Sequence, residues 1–504
     1  MMFPRSSGVL LHPTSLPSPY GIGDIGRAAR AFIDRLHTAG QLWWQVLPLN
    51  IPGFGGSPYA AQSAFACNPA IIDLDDLVAD GLLSADELDG LVAEARWLDG
   101  LDPTRAALDE AAALKMAALR LAWERVHSRH VSAAYLDMFE RFCAEKASWI
   151  EDWALFAALK KRYQDADWRS WPAELVRCDA AALEAARTEL SYEIGLHKFI
   201  QYVFAMQWAA LREHGDNVGV QIIGDIPIFV AMDSADVWAN RALFEMSAEG
   251  VASAVAGVPP DYFSKTGQKW GNPLYAWQEH EDTNWAWWTE RVRAALELCD
   301  VVRIDHFRGF EAYWAVPADA PTAETGRWVK APGDKLFNHL REVLGEVPFI
   351  AEDLGLITDE VHRLRDRHEL PGMKVMHFAF SGEPDHPFLP HTYPRRCVAY
   401  AGTHDNDTTR GWFDHLSAEE QHRVRVYLGS DDAGIVRAMR RKLYASQAEL
   451  VIVTAQDVLE LGSEAKMNTP ATTQGNWTWR MTQGQLEDAA WERLGEEARA
   501  AQRA

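Results

Sequence analysis

Three acidic residues, Asp305, Glu352 and Asp405, each follow a short apolar run: 301–304, 347–351 and, across Thr403-His404, 398–402. Apolar runs that end abruptly in polar side chains are how buried parallel strands read when they deliver chemistry at their C-terminal tips. Side chains alternate along a strand, so Arg303 and Asp305 project to one side and the guanidinium can hold the carboxylate ionised. An ionised, oriented carboxylate is a nucleophile. Cleaving a glycosidic bond needs such a group to attack the anomeric carbon, and a protonated carboxyl to release the leaving oxygen and later act as base. Asp305 suits the first role. Glu352 suits the second, because neighbouring negative charge and partial burial push its pKa upward. Asp405 can hold sugar hydroxyls and the developing oxocarbenium charge. A separation of about 5 to 5.5 Å between Asp305 and Glu352 would make the reaction retain configuration through a covalent glycosyl-enzyme.

Spacing leaves neighbouring acids as alternatives. Glu352 and Asp353 point to opposite sides, as do Asp405 and Asn406, while Asp405 and Asp407 could share a face.

The elements that must position these residues can be read from the rest of the chain. Strand-like runs near residues 9, 45, 222, 302, 349, 375, 399 and 452 alternate with helical sequence, which predicts a parallel (β/α)8 TIM barrel, an α/β fold. A doubly wound sheet would want a glycine-rich fingerprint after its first strand, and 53–59 (Gly-Phe-Gly-Gly-Ser-Pro-Tyr) lacks that geometry. Asp24 is expected to cap a helix running to about Thr38, and a second helix is expected over 197–213. Residues 74–196 turn to Ala, Leu, Glu and Arg at helical spacing, which reads as a helical insertion in a single catalytic barrel spanning 1–504. Residues 226–300 read as an insertion between the third and fourth strands, and 258–273 within it as a long loop.

The totals narrow the function. At 504 residues the chain is long enough for a barrel with insertions. A formal net charge of −23 argues against nucleic acid, because no basic stripe is available to replace phosphate counterions. The five cysteines are odd in number and free of any CxxC pattern, so they read as reduced thiols of a cytoplasmic protein. No stretch approaches a signal peptide or a membrane span.

Several motifs together resemble one family. The segments 303–309 (Arg-Ile-Asp-His-Phe-Arg-Gly), 351–355 (Ala-Glu-Asp-Leu-Gly) and 402–406 (Gly-Thr-His-Asp-Asn) are similar to the catalytic segments of the 4-α-glucanotransferases called amylomaltases or disproportionating enzymes, of the α-amylase clan. The stretch from Pro259-Pro260-Asp261-Tyr262-Phe263 through Gln268-Lys269-Trp270-Gly271-Asn272-Pro273 adds to the likeness, which runs to about Trp477. The resemblance implies retaining transfer of α-1,4-glucan segments to the 4-hydroxyl of an acceptor, with Asp305 as nucleophile, Glu352 as general acid/base and Asp405 as transition-state stabiliser. It implies that Arg303 supports the nucleophile, that His306 and His404 bind hydroxyls at the cleaved sugar, and that Tyr59, Asp261, Tyr262, Phe263, Gln268 and Trp270 line the subsites. It implies malto-oligosaccharides or other α-1,4-glucans as partners, no dissociable cofactor or metal, and no C-terminal β-sandwich.

Other readings use the same residues. An α-glucan hydrolase differs only in how water and sugar acceptors compete. A metal-dependent barrel hydrolase would take His306, His404, Glu352 and Asp405 as ligands. A non-catalytic glucan-binding protein would use the aromatics alone, with no need for three convergent acids. Oligomeric state leaves no mark on the sequence.

Overall fold

A computed structural model of the chain describes residues 3–260 and 264–504. Its strands, in chain order, are β1 (Ser6–Leu10), β2 (Trp43–Gln45), β3 (Gln221–Pro227), β4 (Ala254–Val258), β5 (Gln268–Pro273), β6 (Val301–Asp305), β7 (Ala312–Pro317), β8 (Arg327–Lys330), β9 (Phe349–Ala351), β10 (Gly372–Val375), β11 (Cys397–Tyr400) and β12 (Leu450–Thr454). Eight of them close a parallel barrel in the order β1-β12-β11-β10-β9-β6-β3-β2. All eight fall where the apolar runs predict strands.

The reason for that agreement is burial on both faces. Every residue of β1, β11 and β12 is buried, so these strands must be apolar or small throughout. Gly8 shows how tight the wall is: a Cβ there would lie 2.5 Å from both the Cβ and the carbonyl oxygen of Trp43 on the adjoining strand.

Helices cover the outside of the barrel through apolar stripes. The helix Arg27–Thr38 buries Ala29, Phe32, Ile33 and Leu36, a single face at the i, i+3, i+4, i+7 spacing. Its N-cap is Gly26, not Asp24. Asp24 instead accepts from the Gly26 N–H at 3.3 Å and pairs with the buried Lys115 ammonium at 3.1 Å, which holds the turn from inside the protein. The helix expected over 197–213 runs longer, Ser191–Val218, and ends at Gly219 in the left-handed region.

Between Leu74 and Leu196 the regular elements are helices, packed through aromatic contacts such as Trp123 on Phe199 at 5.6 Å. The stretch 258–273 is not a plain loop. It contains the end of β4 and all of β5, which form an antiparallel pair inside a second sheet ordered β5-β4-β7-β8. The sequence hides β5 because most of its residues are partly or fully exposed and Gly271, Asn272 and Pro273 interrupt any apolar alternation.

After β12 the described elements are helical turns and the helix Ala490–Ala500, whose Trp491 packs edge-on against Phe32 at 5.6 Å. No described helix is long and apolar enough to cross a membrane.

Replacing Gly8 with Ala should cost about 1–3 kcal/mol through overpacking between β1 and β2. Thermal unfolding checks this, and an unchanged midpoint would mean that the wall yields.

Candidate active site

The three acids gather at the C-terminal mouth of the barrel. Asp305 ends β6, Glu352 follows β9, and Asp405 lies in the turn after β11. The register places Arg303 directly opposite Asp225 of β3. The buried guanidinium donates to Asp225 at 2.6 Å and to Asp305 at 2.9 Å, so the same-side expectation for Arg303 and Asp305 holds. Asp225 is fully buried, while Asp305 keeps a side-chain exposure of 31% toward the mouth. The Tyr59 hydroxyl also donates to Asp225, at 2.7 Å. Burial pushes the Asp225 carboxyl up, against the pull of Arg303 and with the push of Asp305, to about 7.

His306 is the next residue and adopts φ +55°, a left-handed conformation uncommon for a residue with a side chain. That turn aims two successive amides at the Glu352 residue. The His306 N–H donates to the Glu352 carboxylate at 2.7 Å, and the Phe307 N–H to its carbonyl at 3.1 Å. A third donor, the Leu354 N–H, reaches the other carboxylate oxygen at 3.0 Å. These bonds favour the ionised form, but burial and the Asp305 charge outweigh them and push Glu352 up to about 8. The sequence expectation of a raised acid therefore agrees with the geometry.

The ambiguous neighbours separate cleanly. Asp353 turns outward, accepting from the Met373 N–H at 2.8 Å and pairing with Arg365 at 2.5 Å. Asn406 closes its own turn through the Thr403 N–H at 2.9 Å. Asp407 accepts from the Ser463 hydroxyl at 2.7 Å, away from the mouth. Asp405 is left half-exposed, held by the Asn468 amide at 2.6 Å and lying 3.4 Å from His404 Nε2.

Aromatic rings line the same opening. His404 stacks on Tyr59 at 5.1 Å, and Trp477 tilts against both at 6.1 Å. Trp270 stands edge-on to His306 at 4.8 Å, and its indole N–H donates to Gln268 at 3.2 Å. Burial lowers both imidazoles, His306 to about 3, so they stay neutral and can exchange hydrogen bonds with hydroxyls. His306 Nε2 is buried without a partner, as is Nδ1 of His12 beyond the end of β1. Asp261, Tyr262 and Phe263 lie outside the described residues. Among the described residues, no group of three or more His, Cys, Asp or Glu side chains is placed to hold a metal ion.

Asp225, Asn468 and Trp477 were not assigned to the site from sequence. Asp225 carried the same signal as Asp305, an acid ending an apolar run. Asn468 carried none, because it comes from a loop whose path only the fold defines.

With this geometry in place, comparison with known proteins is decisive. A family model described as 4-alpha-glucanotransferase matches residues 11–486. The chain belongs to the 4-alpha-glucanotransferase family. It is 47% identical to the 4-alpha-glucanotransferase of Thermus thermophilus, with 100% of each chain covered. It is 45% identical to that of Synechocystis, covering 97% of this chain and 96% of the relative. Among solved structures, the amylomaltase from Streptococcus agalactiae in complex with acarbose superposes with a TM-score of 0.94 at 37% identity, covering 99% of this chain and 100% of the other. The likeness therefore runs over the whole chain.

Because the Asp305 charge helps to raise Glu352, Asp305→Asn should lower the Glu352 titration midpoint. Carbon-13 NMR of glutamate-labelled protein reads this directly, and an unmoved midpoint would mean that burial alone sets it.

Proposed function

We propose that this site transfers α-1,4-glucan segments by two displacements at one anomeric carbon, with Asp305 as nucleophile, Glu352 as general acid/base and Asp405 as stabiliser of the oxocarbenium-like transition state. The observation that carries this reading is the pairing of unlike environments. Asp305 is held by a guanidinium and partly exposed at the mouth, while Glu352, half-buried beside it, is biased toward the protonated form.

In the first displacement an Asp305 oxygen attacks C1. The glycosidic bond breaks, Glu352 delivers its proton to the departing oxygen, and a glucosyl ester forms on Asp305. Ester formation removes the Asp305 charge, which removes one of the two causes holding Glu352 up. Glu352 is then poised as a base. It takes the proton of an acceptor 4-hydroxyl, that oxygen attacks C1, and the ester bond breaks to free Asp305. Two inversions give net retention.

Arg303 keeps Asp305 oriented, while His306, His404 and His12 offer neutral ring nitrogens to sugar hydroxyls. Tyr59, Gln268, Trp270 and Trp477, with Asp261, Tyr262 and Phe263, would build the subsites. Apolar ring faces stack on sugars and exclude water, which favours a bound glucan over water as acceptor. We further read 74–196 and 226–300 as insertions on one catalytic barrel. Its partners would be malto-oligosaccharides and not nucleic acid or membrane, and its location cytoplasmic, in keeping with the acidic surface and with five free cysteines.

Incubation with maltotriose should give a ladder of longer and shorter glucans at constant total reducing ends, abolished in Asp305→Asn. Rising reducing ends would mean hydrolysis instead. Glu352→Gln should lose about 10²–10⁴-fold on maltotriose and recover much of the first step on α-glucosyl fluoride, whose leaving group needs no proton. The free enzyme should need Glu352 protonated, so kcat/KM should hold through neutral pH and fall as pH rises through about 8. An alkaline limb in the ordinary carboxylate range would assign the proton to another group.

A further inference from the structure

One segment departs from the strand–helix repeat. Every other connection between successive barrel strands contains at least one α-helix, whereas 376–396, between β10 and β11, holds only the short 3-10 turns Met376–Ala379 and Pro390–Thr392. This connection therefore supplies turns and not a helix beside the outer wall of these two strands. Beside it a cavity of about 320 Å³ opens between the helix Asp359–Arg367 and the N-terminal ends of β10 and β11, at the opposite end of the strands from the catalytic tips.

The charge of this cavity runs against the rest of the chain, whose net charge is −23. His362, Arg365, Lys374 and Arg396 line it, with Asp366 as the acid among its lining residues. Arg365 is committed to Asp353 at 2.5 Å and Asp366 at 2.7 Å. Arg396 reaches Glu369 only at 3.9 Å. Lys374 points outward because its neighbour Met373 faces the barrel interior, where its sulfur lies 3.4 Å from Arg303 Nε. No described carboxylate lies within ion-pair distance of the Lys374 ammonium, which sits 5.1 Å from the centre of the Phe388 ring. Its burial lowers its pKa, outweighing the nearby charge of Asp353, which is itself paired with Arg365. Nδ1 of His362 is also buried without a partner.

We propose that this cavity binds a small phosphate-bearing anion, held by Lys374, Arg396 and His362. A compact ammonium beside a forked guanidinium is the donor set that suits phosphate oxygens. The volume is at the small end of ligand sites, enough for a single sugar ring with its phosphate. Two sources share the chemistry, inorganic phosphate and a hexose phosphate.

The test is thermal unfolding of the full chain, titrated at constant ionic strength with inorganic phosphate, glucose 1-phosphate or glucose. Wild type is compared with Lys374→Met and with the more exposed Arg396→Gln, which guards against a folding defect in the first. The midpoint should rise saturably with either phosphate compound at millimolar concentration. Each variant should bind at least about tenfold more weakly, the loss expected for one charge-assisted contact, while disproportionating maltotriose at the wild-type rate without added anion. Glucose, entering only through the catalytic mouth, should act alike on all three proteins. Tighter binding of glucose 1-phosphate would assign a sugar phosphate, and equal binding phosphate alone; both sustain the site. No saturable shift, or a shift of equal affinity in wild type and both variants, overturns it.

Discussion

Arg303 stands buried between two carboxylates, donating to Asp225 at 2.6 Å and to Asp305 at 2.9 Å, and the mouth of the barrel is arranged around that sharing. A cation taken out of water is costly unless its partners have good geometry and their own hydrogen bonds. Asp225, fully buried and bonded to the Tyr59 hydroxyl, is the anchor; Asp305 is the end left facing the opening. The arrangement depends on register, since Asp225 and Arg303 are direct neighbours across β3 and β6. A slip of β6 by one residue would turn Arg303 and Asp305 to the wrong face. The closed barrel, whose strands are fixed on both edges, prevents that slip.

A second constraint ties the carboxyls of Asp305 and Glu352 to each other through the backbone. The left-handed turn at His306 sends successive amides to the carboxylate and the carbonyl of Glu352, and the Glu352 amide returns to the Ile304 carbonyl at 3.1 Å. β6 and β9 are thereby joined just beyond their last paired residues. Strain held at one residue sets the position of the other acid, and the same turn carries the His306 ring beneath Trp270. The acid's proton affinity then follows from where it is held, beside Asp305 and partly withdrawn from water.

Much of this was legible in the sequence because buried parallel strands leave continuous apolar runs, and polar residues at their ends share one face. That logic located all eight barrel strands and brought forward Asp305, Glu352 and Asp405 as candidates. It could not choose between Glu352 and Asp353, since the choice turns on Arg365, from the helix Asp359–Arg367, and on the Met373 amide of the neighbouring strand β10. The outer strands β5 and β8 of the second sheet escaped notice for the opposite reason: most of their residues are partly or fully exposed, and glycine and proline interrupt β5. Asn468 and Trp477 reach the site from a loop after the last strand, and no local pattern marks residues whose role depends on where a loop returns.

In the proposed reaction Asp305, fixed by Arg303, becomes covalently bonded to the sugar. The most direct test is to react Glu352→Gln with 5-fluoro-α-glucosyl fluoride, which needs no acid to leave and deglycosylates slowly, and then map the adduct by peptide mass spectrometry. The account predicts one 5-fluoroglucosyl group, on the peptide carrying Asp305, and none in Asp305→Asn. An adduct on another residue, or rapid turnover with no adduct in the intact protein, would contradict it.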